Sequence, residues 1–510
     1  KHPNYINTFV EEYSKVTKES IVKTTANILN ENQVRLRAQP NSIWVPVEND
    51  LDRTIEPTPT KEEPFNPPLH KSEILDNGLE LIYVKKEGLP LVSCGLLIKT
   101  GSTVDPEHLP GLMYFTTLLS REGTDNRNSS QIYNDLDKLG ASIGIETRRE
   151  YIFYSTEVVT KHIGPVLDIL SDIVLNPTYP IDEIKRIKSK QLGDLKRSYD
   201  EPNAIADRIF PQLIYGNSAA YGHPTSGNES SIENFSQNDL IELNAEVFKP
   251  ADAQVIVVGD IDFLDIKNQV IKYFGQWNQE PRNEIRDNKK QVNSLSSYAA
   301  GIYIYDKPDS AQSVIRAGHT LFARNDKDYF SMNLVNFVFG GQFSSRLNLN
   351  LREEKGYSYG FHSGVSWFKQ DSLLLAGGGV QTDKTTESVI EILKEFNGIV
   401  GENVITDIEL DDAKNQLLLG YPAGFERSGQ ILDNLVQLSV HDLNDNYFQE
   451  VPNNLKSVSL DDANRVAKEH INTETLKLFI VGDKKIILPG LMKVGLPVFT
   501  VDNNGTVSEL

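Results

Sequence analysis

Arg352 and Tyr359 are the two residues whose types and spacing are best suited to chemistry. They lie in the run from Phe339 to Gly360, which reads FGGQFSSRLNLNLREEKGYSYG. A guanidinium and a phenol aimed at one point are the kind of fixed donors that stabilise negative charge developing on an oxygen atom. From the run alone a simpler interpretation also stands, namely a capped connection with an exposed arginine and a half-buried tyrosine.

The surrounding sequence predicts the elements that would position this pair. The pattern favours a helix from Phe343 to Glu354, with Ser344 or Ser345 as its cap. Gly356 follows directly after the predicted end, where a left-handed backbone conformation is favoured. The arginine then lies on the last helical turn and Tyr359 lies at the mouth of the next strand, so both side chains can face one place.

Composition excludes several classes of function. The chain has 510 residues, of which 39% are hydrophobic and 24% are charged, which is typical of a soluble globular protein. Its net charge of −20 disfavours nucleic-acid binding, because phosphate contacts need clustered lysine and arginine. No apolar run reaches the roughly 18 residues of a membrane-spanning helix, so no transmembrane segment is predicted. Cys94 is the only cysteine, which excludes an internal disulfide and a cysteine-based zinc cluster.

One local pattern occurs three times along the chain. A serine or threonine cap at Thr17, Ser236 and Ser459 precedes a helix, a short polar connector and an apolar strand. The caps lie about 220 residues apart, which is the spacing of whole domains rather than of solenoid repeats. The repeat therefore predicts three domain ends but only two complete domains, with the body of a preceding domain missing before Lys1.

This repeat and the intervening composition predict the domain organisation. Each complete domain reads as strands, helices, strands, helices and a final strand, which indicates an α+β fold with a sheet packed on one face by helices. The predicted segments are 1–40 as the end of a preceding domain, 41–71 as a proline-rich linker, 72–277 as the first complete domain, 278–298 as a polar linker, 299–487 as the second complete domain and 488–510 as a loose tail.

Five clusters in this plan resemble the pitrilysin/insulinase family of zinc metallopeptidases, the inverzincins. The chain resembles the C-terminal half of such a peptidase, which lacks the zinc motif. The resemblance implies the LuxS/MPP-like metallopeptidase fold, in which two homologous domains each carry a mixed or antiparallel sheet packed by helices, in a clamshell arrangement. The clusters are Pro110-Gly111-Leu112, Gly123-Thr124, Tyr221-Gly222-His223-Pro224, Gln312 to Ile315, and Gly340 through Arg352 to Tyr359.

The resemblance also locates a zinc motif that this chain has lost. Family members carry H-x-x-E-H on a helix, where two histidines one turn apart bind zinc and the glutamate activates water. The matching positions here are Tyr114, Thr117 and Leu118, and the third ligand falls at Leu192. The resemblance therefore implies no metal in this chain, and zinc in a missing N-terminal half or a partner subunit.

The resemblance implies a role for the Arg/Tyr pair. In peptidases of this family such a pair holds the substrate backbone and supports the tetrahedral intermediate, which assigns this role to Arg352 and Tyr359. The chain would be the non-zinc half, inactive alone, and the closing wall of a chamber for an unfolded peptide. Its expected partners are a zinc-bearing peptidase half or subunit and that peptide.

Two alternatives remain open from the sequence. The chain is otherwise a catalytically inactive structural or peptide-binding subunit, and an H-x-x-E-H upstream of Lys1 would favour the peptidase instead. A third option is an autonomous enzyme that uses other chemistry. Acidic helices such as Glu409 to Asp412 are more simply explained as solvated faces.

Overall fold

The computed structural model describes residues 15–29, 65–277 and 298–510. The chain divides into two compact units, residues 1–64 and 65–510. In the first unit the described element is helix α1, Lys18–Ile28. It begins with a reciprocal cap, in which the Ser20 amide donates to Thr17 Oγ1 and the Thr17 amide donates to Ser20 Oγ. Among the described residues, no helix has both the length and the apolar character needed to cross a bilayer.

The second unit opens with a six-stranded sheet. Its strands lie in the order β1-β2-β6-β3-β5-β4, with β2 and β6 parallel and every other neighbouring pair antiparallel. Gly78, in the turn between the first two strands, has a φ of +88°, which favours glycine. The strands are β1 Lys71–Ile74, β2 Glu80–Lys85, β3 Leu91–Ile98, β4 Gly144–Thr147, β5 Ile152–Val159 and β6 Ala253–Gly259.

Eight helices accompany this sheet in the described part of the chain. Apolar side chains of α2, α4 and α8, among them Phe115, Leu167 and Leu240, pack with Leu96 and Val255 of the sheet into one buried core. The helices are α2 Leu112–Ser120, α3 Ser129–Leu139, α4 Ile163–Leu175, α5 Ile181–Ser198, α6 Pro202–Tyr215, α7 Glu229–Asn234, α8 Gln237–Val247 and α9 Phe263–Phe274.

A seven-stranded sheet follows and repeats the plan. Its order is β13-β12-β7-β11-β8-β10-β9, with β7 parallel to both β11 and β12. Relative to the first sheet, β7, β11, β8, β10 and β9 take the places of β2, β6, β3, β5 and β4. The strands are β7 Gly301–Asp306, β8 Gln312–Leu321, β9 Ser358–Ser366, β10 Ser372–Gln381, β11 Lys477–Gly482, β12 Val498–Val501 and β13 Val507–Glu509.

The helices around the second sheet build a separate core from Ile304 and Ile315 of the sheet and from Met332, Ile392 and Val466. They are α10 Tyr329–Asn336, extended by wide turns over Phe337–Gly341; α11, which runs from Arg346–Asn348 into wide turns over Leu349–Glu354; α12 Thr385–Val400; α13 Asp407–Gly420; α14 Ser428–Val440; α15 Tyr447–Ser457; α16 Leu460–His470; and α17 Lys484–Leu491.

The outer face of the first sheet is covered by a helix from the other half of the unit. Successive residues of a strand point to opposite faces, so Ile82 and Ile256 face away from the core formed by their neighbours. Leu432 and Leu435 of α14 pack against them in one buried cluster. The first sheet is thus completed by a helix that follows it by more than 150 residues.

The second sheet receives the reciprocal contact. Ile209 and Leu213 of α6 are fully buried and pack with Tyr303 and Phe479 of the second sheet. The two halves therefore exchange one covering helix each. The predicted α+β fold with helix-packed sheets is confirmed, and the exchange adds a second covered face that the sequence did not indicate.

Several local predictions are decided by the structure. Thr17, Ser236 and Ser459 each cap a helix through a capping box, as the repeat predicted. The prediction of a loose tail over 488–510 is wrong, because β12 and β13 lie within it and extend the edge of the second sheet. The two linkers lie mostly outside the described residues, and the domain boundaries stay predictions.

Candidate functional site

The segment that carries the Arg/Tyr pair is folded by close backbone packing. A Cβ on Gly340 would lie 2.6 Å from the Ser363 amide nitrogen, so this position admits only glycine. The following helix begins at Arg346, three residues later than predicted. Ser345 precedes the helix, but its hydroxyl donates to the Gln342 carbonyl at 2.6 Å instead of capping the helix.

Arg346 fixes the start of this helix to the rest of the fold. Its Nε and Nη2 atoms donate to the two Glu409 carboxylate oxygens, each at 2.7 Å. Nη2 also donates to the Val404 carbonyl at 2.9 Å. Burial tends to raise the pKa of Glu409, but the hydrogen bonds from Arg346 and Thr406 outweigh it, so this pKa is lowered. The bidentate pair orients the helix that carries Arg352.

Arg352 and Tyr359 both lie on the surface, seven residues apart. The Arg352 guanidinium lies over the Phe343 ring, 4.6 Å from its centroid, and its Nε is 3.2 Å from a Glu353 carboxylate oxygen. Gly356 ends the helix with a φ of +66°, as predicted. Tyr359 is the second residue of β9 and its side chain is 89% exposed. The simpler expectation of a half-buried tyrosine is therefore wrong.

The positions of the lost zinc motif have a different environment. Thr117 is buried, and its Oγ1 lies 2.6 Å from Thr147 Oγ1 on the edge strand β4. Leu118 and Leu192 are partly buried against the first core, and Tyr114 is half-buried. A phenol, a hydroxyl and two aliphatic side chains do not fit zinc, which takes imidazole, thiolate or carboxylate ligands in proteins.

Elsewhere among the described residues, one group of side chains of the types that bind metal ions does lie close together. Ligand atoms of Asp328, Glu469 and His470 lie within 4.8 Å of one another. The Arg465 guanidinium already occupies this cluster, with 2.8 Å to Asp328 and 2.7 Å to Glu469. The cluster is therefore a charge-paired network that holds α16 to the start of α10.

Two adjoining cavities lie beside the former zinc helix. The first has a volume of about 480 Å³ and is lined in part by Tyr114, and the second has about 410 Å³ and is lined in part by Trp367 and His441. Thr147, Arg149 and Thr225 line both, so the two form one groove. No sequence pattern marked Arg149 or the groove, because the groove forms where β4 meets segments distant in the chain.

His441 marks the far end of this groove. Burial lowers the pKa of His441 to about 4, with Arg324 and Lys369 adding to the effect. Among the described residues its Nδ1 atom has no hydrogen-bond partner. A neutral imidazole therefore faces the groove at physiological pH.

Two models of known protein families match this chain. A model described as "Insulinase (Peptidase family M16)" matches residues 81–221, and one described as "Peptidase M16 inactive domain" matches residues 234–417. The chain belongs to peptidase family M16. The predicted resemblance to the insulinase family is thereby confirmed.

Relatives within M16 are matched over nearly their whole length. The chain is 24% identical to "Uncharacterized zinc protease YmxG" of Bacillus subtilis over 409 residues, which covers 79% of this chain and 96% of that protein. It is also 24% identical to "Non-peptidase homolog YmxG" of Helicobacter pylori, over 82% of this chain and 95% of that protein. One of these relatives is therefore named a protease, and the other is named a non-peptidase.

Solved structures support the M16 fold. A peptidase M16 inactive domain from Pseudomonas fluorescens superposes with a TM-score of 0.74 and 21% identity, over 81% of this chain and 97% of that one. A protease from Helicobacter pylori gives the same TM-score with 17% identity, over 82% of this chain and the whole of that one. At these identities the superpositions establish the fold alone.

Proposed function

We propose that this M16 chain is the non-zinc half of a metallopeptidase assembly. It forms the closing wall of a peptide-binding chamber and supplies Arg352 and Tyr359 to a zinc site. That site lies in a further N-terminal half or in a partner subunit. The observation that carries the proposal is the exposure of this pair beside an edge strand, in a chain whose own zinc-motif positions hold no ligand.

The surroundings of the pair suit this role. Arg352 is held on the Phe343 ring and Tyr359 stands clear of the surface, so both can meet a second protein surface without rearrangement of the core. A guanidinium can hold a peptide carbonyl, and a phenol can donate to the oxyanion that forms when the carbonyl is attacked. Zinc in the partner would supply the activated water.

The proposal is tested by reconstitution. Peptidase activity on an unfolded fluorogenic casein should be absent from this chain alone and should arise when the co-purifying zinc-bearing partner is added. Tyr359→Phe should then lower kcat about a hundredfold, as expected for loss of one oxyanion donor. Arg352→Ala should lower kcat/KM by roughly tenfold or more, because the substrate is less well positioned.

Two matched controls accompany these variants. Tyr357→Phe removes a half-buried hydroxyl two residues away, and Lys355→Ala removes an exposed cation one turn after Arg352. Both should leave kcat and KM unchanged. Equal activity of Tyr359→Phe and Tyr357→Phe in the reconstituted assembly would contradict the assigned role.

A second candidate function is peptide binding without turnover. The name "Non-peptidase homolog" of the Helicobacter pylori relative favours it. In that case the isolated chain should bind unfolded peptides, and no partner carrying H-x-x-E-H should co-purify. Stoichiometric zinc in the isolated chain would contradict both candidates.

A further inference from the structure

Arg149 is a guanidinium with spare donors in the groove beside the former zinc helix. It follows the edge strand β4, and it lines both cavities of the groove. Its Nη1 donates to the His223 carbonyl at 2.9 Å. Burial lowers the pKa of Arg149, and the groups that oppose this effect are the phenols of Tyr215 and Tyr221, with no carboxylate among them.

The carboxylates around Arg149 are engaged elsewhere. Glu150 accepts from the Tyr221 hydroxyl and from the Lys369 amide, the latter at 2.8 Å. In the first cavity, Asp194 pairs with Arg197. Asp207, in the same cavity, pairs with Arg316 at 3.0 Å. The groove therefore contains a guanidinium whose charge is not neutralised by an ion pair among the described residues.

A second arginine strengthens the positive character of the first cavity. Arg208 lines it, stacks 4.5 Å from the centroid of the Tyr199 ring and donates through Nη1 to the Asn503 carbonyl at 2.8 Å. Its Nε and Nη2 atoms have no hydrogen-bond partner among the described residues. Neither arginine of the cavity has a carboxylate partner there, although buried guanidinium groups usually have one.

We infer that Arg149 anchors a carboxylate-binding subsite, which holds a carboxylate of a peptide lying in the groove between Tyr114 and Trp367. A planar guanidinium binds a carboxylate through two parallel hydrogen bonds, and the partial burial of Arg149 strengthens them by reducing competition from water. The carboxylate belongs either to the peptide C-terminus or to an acidic side chain. This inference rests on the proposed function, because it takes peptide binding by the chain as given.

Three forms of one probe test the subsite. The probe is a short fluorescent peptide with several lysines, made with a free C-terminal carboxylate, with an amidated C-terminus, or amidated with one internal glutamate. Fluorescence anisotropy with the full chain gives the three Kd values. Amidation should weaken binding by about tenfold to a hundredfold, as for loss of a charge-assisted hydrogen bond.

The net charge of the chain makes this comparison stringent. At −20, the long-range field favours the amidated peptide, which is the more positive one. A preference for the free carboxylate must therefore come from a local cation. Recovery of tight binding by the internal glutamate would identify a side-chain carboxylate as the ligand, and failure to recover would identify the C-terminus.

Substitutions assign the effect to Arg149. Arg149→Gln should abolish the difference between free and amidated peptides, and Arg149→Lys should retain part of it, since a lysine binds as a point charge. Lys138→Gln is the matched control, because it also removes one positive charge, from an exposed side chain that lies outside the groove. Thermal melts check folding, and if the glutamine variant does not fold, the lysine variant alone decides the question.

The outcomes separate this inference from the proposed function. Equal binding of all three peptide forms would overturn the carboxylate subsite and leave peptide binding intact. Full discrimination in Arg149→Gln, or undiminished discrimination in Arg149→Lys, would also overturn it. Failure of every form to bind would overturn the subsite and the candidate function of peptide binding without turnover, whereas the reconstitution assay decides the peptidase assembly separately.

Discussion

The two halves of residues 65–510 share one order of elements but differ at one edge of each sheet. In the first half the edge strand β4 has four residues, and its last residue, Thr147, is bonded to Thr117 of the former zinc helix. In the second half the equivalent strand β9 has nine residues and presents Tyr359 to solvent. Both edge strands contact helices of their own half, β9 through the hydrogen bond from Ser363 to Asn336, but β9 also presents an exposed phenol that a second surface could meet.

This difference shows that two halves with one topology can present different surface chemistry, because that chemistry depends on local placement. Both edge strands follow a helix that ends at a left-handed glycine, Gly140 in one half and Gly356 in the other. Only the second helix presents an arginine above an aromatic ring close to that glycine.

The largest effect is expected where the halves are alike. Leu213→Asp on α6 and Leu435→Asp on α14 each place a charge on a buried contact with the opposite sheet. Each should lower the free energy of unfolding by roughly 4 kcal/mol or more, because an unpaired buried charge is poorly solvated. Urea unfolding of the full chain measures both values.

The control for this pair lies on α14 itself. Gln437→Asp changes an exposed position two residues from Leu435 and should alter stability by less than about 0.5 kcal/mol. Unequal losses from the two leucine variants, beyond a factor of about two, would contradict the equivalence of the exchanged helices.

A smaller effect, of opposite sign in the two halves, is expected for two buried aspartates. Asp105 accepts hydrogen bonds from the amides of Gly111 and Met113 at the start of α2, and burial raises the pKa of Asp105 to about 7. Asp328 lies directly before α10, and its hydrogen bonds with Arg465 and then His470 lower the pKa of Asp328 to about 2. The ordinary aspartate value lies between them, at 3.8.

These shifts predict opposite dependences of stability on pH. The stability contributed by Asp105 is present below about pH 4 and is lost as the pH rises through 7. Over that range the free energy of unfolding of Asp105→Asn should therefore rise, relative to that of the wild type, by on the order of 2–4 kcal/mol. The contribution of Asp328 is present above about pH 4 and lost as the pH falls toward 2. The wild-type advantage over Asp328→Asn should therefore shrink only in acid.

Urea unfolding at a series of pH values measures both differences. The same sign of the pH dependence for the two asparagine variants would show that the two helix starts are electrostatically alike. Ser130→Ala, on the nearby helix α3 and outside both clusters, serves as the control and should show neither trend.

The smallest effect is expected at the exposed pair. Tyr359→Ala removes a side chain that is 89% exposed, so the free energy of unfolding should change by less than about 0.5 kcal/mol. Differential scanning calorimetry measures this change. A loss above about 2 kcal/mol would show that Tyr359 supports the fold, and the contrast between the two edges would disappear.

The sequence predicted what local interactions determine. The caps at Thr17, Ser236 and Ser459 depend on contacts between residues three apart in the chain. The helix end at Gly356 depends on one backbone angle, so the sequence predicts both kinds of feature. The sequence does not predict the terminal strands, although the Asp502–Gly505 turn between two short apolar stretches is a signal for a hairpin. The start of α11 was misplaced because Ser345 bonds to the preceding turn instead of to the helix.

The remaining features depend on tertiary contacts. An amphipathic pattern shows that Leu213 and Leu435 are buried, but not that each packs on the sheet of the other half. Nor can a sequence show that Asp194 and Asp207 are paired elsewhere, which is what leaves Arg149 without an ion pair. The sequence alone therefore predicts neither the packing of these helices on the opposite sheets nor the ion pairing around Arg149.

The exchanged helices also determine how this unit can move. Because α6 and α14 each cross to the opposite sheet, separating the halves would expose both buried clusters at once. A single protease cut between residues 277 and 298 should consequently leave the two fragments bound to each other in native solution. In the proposed assembly, opening and closing of the chamber would then be a movement of this whole unit against its partner, with the unit itself acting as a rigid wall.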